Sequence, residues 1–294
     1  MSVVELDAAW RSANPLPSDD DGGETDKNSR GRVLSIGGCR QVPGALRLTA
    51  EAAFRVGAGK SLLATVPSAA LMLGVLFPEA GVIALEEDES GEPVVAPDSP
   101  LHAALDHVDA AVVGPGMMDR AAAGRLVVAV AATPREGVSL VLDAAVCAAS
   151  GALADMLAGY RDRLVLTPHG GEMAELCDCD AAAIKADPEG RALAVAAKFG
   201  AAVALKGTAT LIAAPDGRLV RYAGGGIGLA TGGSGDVLAG AIGGLLARGL
   251  PAFEATCWGV WLHGEAGRIL AGKVGPVGFL ANELLPELPG LLPR

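Results

Sequence analysis

The sequence predicts a doubly wound α/β fold, a mostly parallel sheet covered by helices on both faces. Three observations carry this reading. Short apolar runs such as Val33-Leu34-Ser35-Ile36 and Ala110–Val113 are each closed by glycine and followed by a segment of helical character. These runs are nearly continuous in apolar residues, as strands buried on both faces require, rather than alternating. Finally, the 294 residues are 51% hydrophobic but only 3% aromatic, with 41 glycines, so the core is aliphatic and the backbone can approach its neighbours closely.

Taken in order, residues 1–30 contain Ser18-Asp19-Asp20-Asp21-Gly22-Gly23 and Asp26-Lys27-Asn28-Ser29-Arg30, with little to bury. They are expected to form a flexible N-terminal arm, leaving 31–294 as a single domain. Strand 33–36 stops at Gly37-Gly38 and leads to a helix over 45–56, and a second strand covers 61–66. Strand 110–113 ends in Gly114-Pro115-Gly116 before an Ala-rich helix over 121–132. Strand 138–142 ends at Asp143, and strand 164–166 enters Thr167-Pro168-His169-Gly170-Gly171 and a helix over 172–176. Runs 202–205, 210–214 and 219–222 lie too close together for intervening helices, and Pro215-Asp216-Gly217 is a tight-turn signal, so a small antiparallel edge is expected there. Two packed helices, 235–248 and 254–270, close the chain. The weak amphipathicity of the Ala-rich helices 121–132 and 192–198 suits either surface or interface.

Charge and cysteine usage exclude several function classes. With 23 Lys+Arg against 34 Asp+Glu the formal charge is −11, and no basic stripe is present to neutralise a nucleic-acid backbone. The five cysteines are odd in number and scattered, and the lone Cys177-x-Cys179 lacks the further ligands a zinc site needs. No apolar run reaches the roughly 18 residues of a bilayer span, and no basic n-region precedes an apolar stretch at the N-terminus. The expected setting is the reducing cytoplasm, with neither nucleic acid nor membrane as partner.

The segment Gly224-Gly225-Gly226-Ile227-Gly228-Leu229-Ala230-Thr231-Gly232-Gly233-Ser234-Gly235-Asp236 runs straight into an apolar helix. Glycine-rich backbone opening a helix lets several N–H groups converge, so Gly232, Gly233, Ser234 and Gly235 form a candidate anion hole for phosphate. Asp236, in the first turn, is expected to be held ionised by the helix dipole and to take a proton from a substrate hydroxyl, the base that phosphoryl transfer needs. The plainer reading makes Asp236 a favourable first-turn acid and the glycines a means of close helix packing. The loop comes too late, after a hairpin, for a dinucleotide fingerprint. Gly59-Lys60-Ser61 is no Walker loop either, since Phe54 occupies the first glycine position and a strand follows.

Lys206, Gly207, Thr208, Ala209 and Thr210 follow an apolar strand at the sheet edge where ligands bind, offering a cation, close approach and two hydroxyls. A strand-to-turn transition with an exposed lysine is the alternative. His169 holds the corresponding place after strand 164–166, with Glu172 suited to the next helix's first turn. His102, His107 and His263 have no motif around them.

Together, the stretches 33–38 and 43–45, Val113-Gly114-Pro115-Gly116, Leu142-Asp143-Ala144, 166–172, Leu205-Lys206-Gly207-Thr208 and 230–236 resemble, in order, the NAD(P)H-hydrate dehydratase family of the ribokinase-like superfamily. The resemblance implies a three-layer α/β/α sandwich with a small antiparallel edge. It also implies dehydration of NADHX or NADPHX to NADH or NADPH at the cost of a nucleoside phosphate, ADP in bacterial members and ATP in eukaryotic ones. By the same resemblance Asp236 is the base, Gly235 and Lys206 to Thr210 hold the nucleotide, and Ala45, Gly116 and His169 contact the hydrated dinucleotide. Mg2+ balances the phosphate charge. A homo-oligomer, tetrameric in relatives, and a separate epimerase are implied partners. Three positions depart from the pattern: Gly170 replaces a proline, Gly226 stands in a segment that usually carries an asparagine, and Ala145 replaces an acid. The alternative is an ATP-dependent small-molecule kinase of the same superfamily, acting on a vitamin precursor or sugar alcohol, because the anion hole and Asp236 serve either reaction.

Overall fold

The structure, a computed structural model, describes residues 3–16, 26–132 and 134–293. Its strands are β1 (Val4–Glu5), β2 (Arg32–Ile36), β3 (Lys60–Thr65), β4 (Gly81–Ala84), β5 (Glu86–Glu87), β6 (Pro93–Val94), β7 (Ala110–Val113), β8 (Ser139–Leu142), β9 (Leu164–Leu166), β10 (Ala201–Leu205), β11 (Thr210–Ala213) and β12 (Leu219–Tyr222). The α-helices are α1 (Ala8–Ala13), α2 (Gly44–Arg55), α3 (Pro67–Leu76), α4 (Pro100–Leu105), α5 (Arg120–Ala131), α6 (Ala144–Ala149), α7 (Gly170–Leu176), α8 (Ala181–Ala186), α9 (Pro188–Phe199), α10 (Ser234–Ala247), α11 (Ala252–Lys273), α12 (Ala281–Leu284) and α13 (Leu288–Leu291).

Ten strands form one sheet in the order β1-β12-β11-β10-β9-β8-β7-β2-β3-β4, while β5 and β6 make a separate small hairpin. Neighbours from β10 to β4 run parallel, and the β10–β11–β12 pairs are antiparallel, as Pro215-Asp216-Gly217 predicts. The side-chain period of two sorts each strand between two cores. Val33, Val112 and Val141 point to a layer shared with α10 and α11. Leu34, Val113 and Leu142 point to the opposite layer, shared with α5, α7 and α9. The result is a three-layer α/β/α sandwich, and it places the C-terminal ends of β2, β7, β8, β9 and β10 along one edge. Among the described residues no helix is long and apolar enough to cross a membrane.

Part of the stretch expected to be an arm over 1–30 is anchored to the sheet. Val4–Glu5 adds a strand parallel to β12, beyond the antiparallel pair. Leu6 and Leu16 are buried, Arg11 lies 3.9 Å over the Trp261 ring, and Trp258 Nε1 donates to Asn14 O at 2.8 Å. The few apolar residues of this stretch are spaced to dock on an open sheet edge, which gives a chain of low hydrophobicity its anchor. The Ser18–Gly23 tract that suggested mobility lies outside the described residues, and Asp26–Arg30 folds into a turn in which Asp26 Oδ1 accepts from Asn28 N and Ser29 N. The sequence reading also passed over α3 and β4. The α3 segment is apolar at most positions and has no amphipathic period, leaving Leu71, Met72, Val75 and Leu76 exposed.

Small residues let α10 pack closely on α2. A Cβ on Gly240 of α10 would lie 2.1 Å from the Thr49 carbonyl oxygen of α2, and one on Gly244 would lie 2.8 Å from Ala53 Cα. The packing reading of the glycines thus holds inside α10, downstream of the loop. Because backbone faces backbone, nothing can rotate away. Gly240→Ala is expected to destabilise the protein by roughly 1–3 kcal/mol, as overpacked cores do, whereas Gly272→Ala in α11, with open space around it, should be neutral or slightly stabilising. Denaturant unfolding of the two variants side by side measures the difference.

Candidate active site

The first turn of α10 is open. Its N-cap, Gly233, takes a left-handed conformation at φ 89° and offers no side chain to cap the helix, so the leading amides face outward with the positive end of the dipole. A Cβ on Gly233 would strike Leu48 of α2 at 2.6 Å, so the turn also lies against that helix. Gly232 is exposed, Ser234 is buried, and Gly235 and Asp236 are half-buried.

Parallel pairing brings two further motifs to the same edge. Lys206 N donates to Pro168 O at 2.8 Å and forms a bridge with His169, setting the loop after β10 beside the loop after β9. Lys206 Nζ donates to Asp143 Oδ1 at 2.9 Å and lies 3.9 Å from Glu172 Oε2. Thr167 Oγ1 donates to the same Asp143 oxygen at 2.6 Å. A Cβ on Gly235 would lie 3.6 Å from Lys206 Nζ and 3.9 Å from Asp143 Oδ2, which puts this ion pair against the opening of α10. The exposed-lysine alternative therefore fails: Lys206 is largely buried, and its two carboxylate neighbours push its pKa up and keep it charged despite burial.

The expectation that Asp236 is held ionised needs correcting. Burial and the nearby Asp143 charge raise its pKa to about 7, with Lys206 opposing the rise. Removing a carboxylate from water beside a second carboxylate outweighs the single lysine. The outcome suits a proton acceptor better than a permanently ionised acid, because a base works best with a pKa near the working pH.

His169 caps α7. Its Nδ1 accepts from Gly171 N at 3.0 Å and Glu172 N at 3.2 Å, while Glu172 Oε2 accepts from His169 N at 2.8 Å. With Nδ1 occupied as an acceptor, a neutral imidazole carries its proton on Nε2, which lies 3.2 Å from Glu172 Oε1, so the exposed ring is tied to that carboxylate. Gly170 has open space around it, so the missing proline leaves the turn intact. Gly116 and Ala45 meet on the far side of the edge: a Cβ on Gly116, at φ 73°, would lie 2.9 Å from Ala45 Cβ and 2.5 Å from Val42 O. The loops are laced together there, Cys39 N donating to Gly116 O and Gly38 N to Pro115 O. Glu92 fastens them from the β5–β6 hairpin, its Oε1 accepting from Met118 N and Asp119 N at 2.9 Å each. Gly207 and Thr208 are exposed and Ala209 and Thr210 half-buried on the β10–β11 turn.

Asp143 and Glu172 are the residues that sequence reasoning underused. Asp143 was visible as the acid that closes a strand, and Glu172 as an acid in the first turn of the helix after the next one. Ala144, next to Asp143, sits at φ 52°, a strained value for a non-glycine residue and one that tends to cluster at functional sites. Ala145 is buried in the apolar layer.

Comparison with known proteins identifies the family. A family described as NAD(P)H-hydrate dehydratase matches residues 33–290. An ADP-dependent (S)-NAD(P)H-hydrate dehydratase of Xanthomonas campestris is 47% identical over 293 residues, 99% of this chain and 97% of that protein. The bifunctional NAD(P)H-hydrate repair enzyme of Escherichia coli is 33% identical over 265 residues, 89% of this chain, and this chain spans about half (47%) of that longer protein. Among solved structures, the ADP/ATP-dependent NAD(P)H-hydrate dehydratase of Bacillus subtilis, co-crystallised with ATP and Mg2+, aligns with a TM-score of 0.77 at 25% identity, covering 99% of this chain and 98% of that one. With the ordered glycine loops, the Lys206–Asp143 pair and Asp236 at the mouth of α10 all on one sheet edge, the chain belongs to the NAD(P)H-hydrate dehydratase family.

Proposed function

We infer that this chain catalyses ADP-dependent dehydration of (S)-NADHX and (S)-NADPHX to NADH and NADPH, releasing AMP and phosphate. One observation carries the reading: a half-buried carboxylate with pKa about 7, Asp236, stands in the uncapped first turn of α10 beside a lysine held by Asp143. A base, an anion-binding helix end and a fixed cation are what phosphoryl transfer to a hydroxyl requires.

In this account Asp236 takes the proton of the hydrate's hydroxyl as that oxygen attacks the terminal phosphorus of ADP. The new O–P bond forms, the bond to AMP breaks, and the amides of α10 with Lys206 meet the charge on the moving phosphoryl group. The hydroxyl has then become a phosphate ester. Its C–O bond breaks with the electron pair leaving on phosphate, and loss of a proton from the adjacent carbon restores the dihydronicotinamide double bond. The exposed His169 ring and the Ala45–Gly116 contact would position the hydrated ring and its dinucleotide body.

The free carboxylate oxygen of Asp143 fits magnesium. Asp143 Oδ2 makes no hydrogen bond among the described residues and faces the mouth of α10, so Asp143 would hold the ion together with phosphate oxygens, whereas both Glu172 oxygens are taken up by His169. When bound, magnesium neutralises phosphate charge and polarises the phosphorus for attack. Assembly with further copies, the homo-oligomer implied by the resemblance, would cover the apolar face of α3.

Two outcomes test the role of Asp236. Asp236→Asn should lower kcat by at least about 100-fold, the usual size of a general-base contribution, while ADP binding measured by calorimetry persists. The kcat/KM profile of the unaltered protein should fall as pH drops through about 7, because Asp236 must be ionised to accept a proton. A stability effect follows from the same shift. The folded protein binds a proton that the unfolded chain has released between the ordinary carboxylate pKa and about 7, so stability declines as pH rises across that interval. Asp236→Asn removes this penalty, and its melting temperature at pH 8 should exceed that of the unaltered protein by a few degrees. Full activity in Asp236→Asn would sink the assignment.

A further inference from the structure

His263 has no motif around it in the sequence, yet among the described residues it makes the only side-chain hydrogen bond to the first residue of α10. Ser234 Oγ and His263 Nε2 lie 2.8 Å apart, both residues buried, at 4% and 9% exposure. A serine at a helix start ordinarily turns its hydroxyl back onto local backbone N–H groups. Here the hydroxyl is held sideways by a different helix, and the N-cap is a glycine; Ser234 N donates to Thr231 O at 3.3 Å, and the amides of Gly235 and Asp236 are left without an acceptor among the described residues.

The anchor is rigid and electrically quiet. His263 lies within the 22-residue α11, which packs so closely on α10 that a Cβ on Gly259 would lie 2.5 Å from Ile242 Cγ1. Burial pushes the imidazole down to about 4, so it stays neutral where the enzyme works and adds no cation to the turn. The charge facing the phosphate site is then set by the α10 amides, Lys206, Asp143 and Asp236.

We propose that His263 is a positioning residue for phosphoryl transfer: through Ser234 Oγ it holds the first turn of α10 so that the amides of Gly235 and Asp236, and the Asp236 carboxylate, keep their common alignment. This rests on reading that turn as the phosphoryl-transfer site. His263 touches neither substrate nor nucleotide in this account, so its effect falls on turnover and little on nucleotide affinity.

The test is a double-mutant cycle on the full chain with Ser234→Ala and His263→Ala, following NADHX dehydration with ADP and magnesium. Each single variant should lose roughly tenfold in kcat, the scale of one misaligned hydrogen bond, with the dissociation constant for ADP within about twofold. The double variant should be no slower than either single one. His263→Gln, which keeps a neutral hydrogen-bonding group, should recover part of the loss. Multiplying losses in the double variant, or a lowered melting temperature with unchanged kcat, would overturn the proposal. Should His263→Ala fail to fold, Ser234→Ala paired with His263→Gln carries the same cycle. Asp236→Asn in the same assay separates the two readings: if it is inactive while the Ser234 and His263 losses multiply, only the role of His263 falls, and if it is fully active, the phosphate-site reading falls and takes this one with it.

Discussion

The uncapped start of α10 is the constraint on which the rest of the site depends. A helix with a glycine N-cap, and with its first hydroxyl drawn away to another helix, keeps the amides of Gly235 and Asp236 free for an anion. That opening is useful only if α10 stays in place, and the close contact of Gly240 with Thr49 and of Gly244 with Ala53 fixes it against α2. The same glycine-rich helix therefore serves recognition at one end and packing along its length. These are not competing explanations of its composition. They are successive demands on one element.

Electrostatics at the sheet edge follow from crowding three carboxylates around one lysine. Lys206 is committed to Asp143 and lies near Glu172, so it only partly offsets the repulsion felt by Asp236. Removing one partner of such a buried pair leaves an uncompensated charge, and for this reason Asp143 and Lys206 are better regarded as one unit than as separate ligands. The consequence is an Asp236 poised between protonation states, where the helix dipole alone would have left it an ordinary acid. Function here rests on a local instability that the surrounding fold tolerates.

Much of this was legible in the chain. The short aliphatic runs located β2, β7, β8, β9 and β10, because strands buried on both faces leave a continuous apolar signal that the structure reproduces within a residue or two. The turn chemistry of Pro215-Asp216-Gly217 likewise located the antiparallel edge. What stayed hidden was tertiary in origin. The docking of Val4–Glu5 depends on an open edge at β12, distant in sequence, and the Asp143–Lys206 and Ser234–His263 contacts join residues 63 and 29 positions apart. No local period encodes them. The raised pKa of Asp236 belongs to the same class, since it comes from burial and from a neighbour that only the sheet brings near.

The central claim is that the hydrate's own oxygen becomes a phosphate ester at the mouth of α10 before it leaves. The most direct measurement uses NADHX carrying oxygen-18 in its hydroxyl, incubated with the protein, ADP and magnesium, followed by mass analysis of the released phosphate. The account predicts that the label appears in inorganic phosphate as NADH absorbance recovers. Label found in water alongside recovered NADH, or a stable phosphorylated product with no recovery, would contradict it.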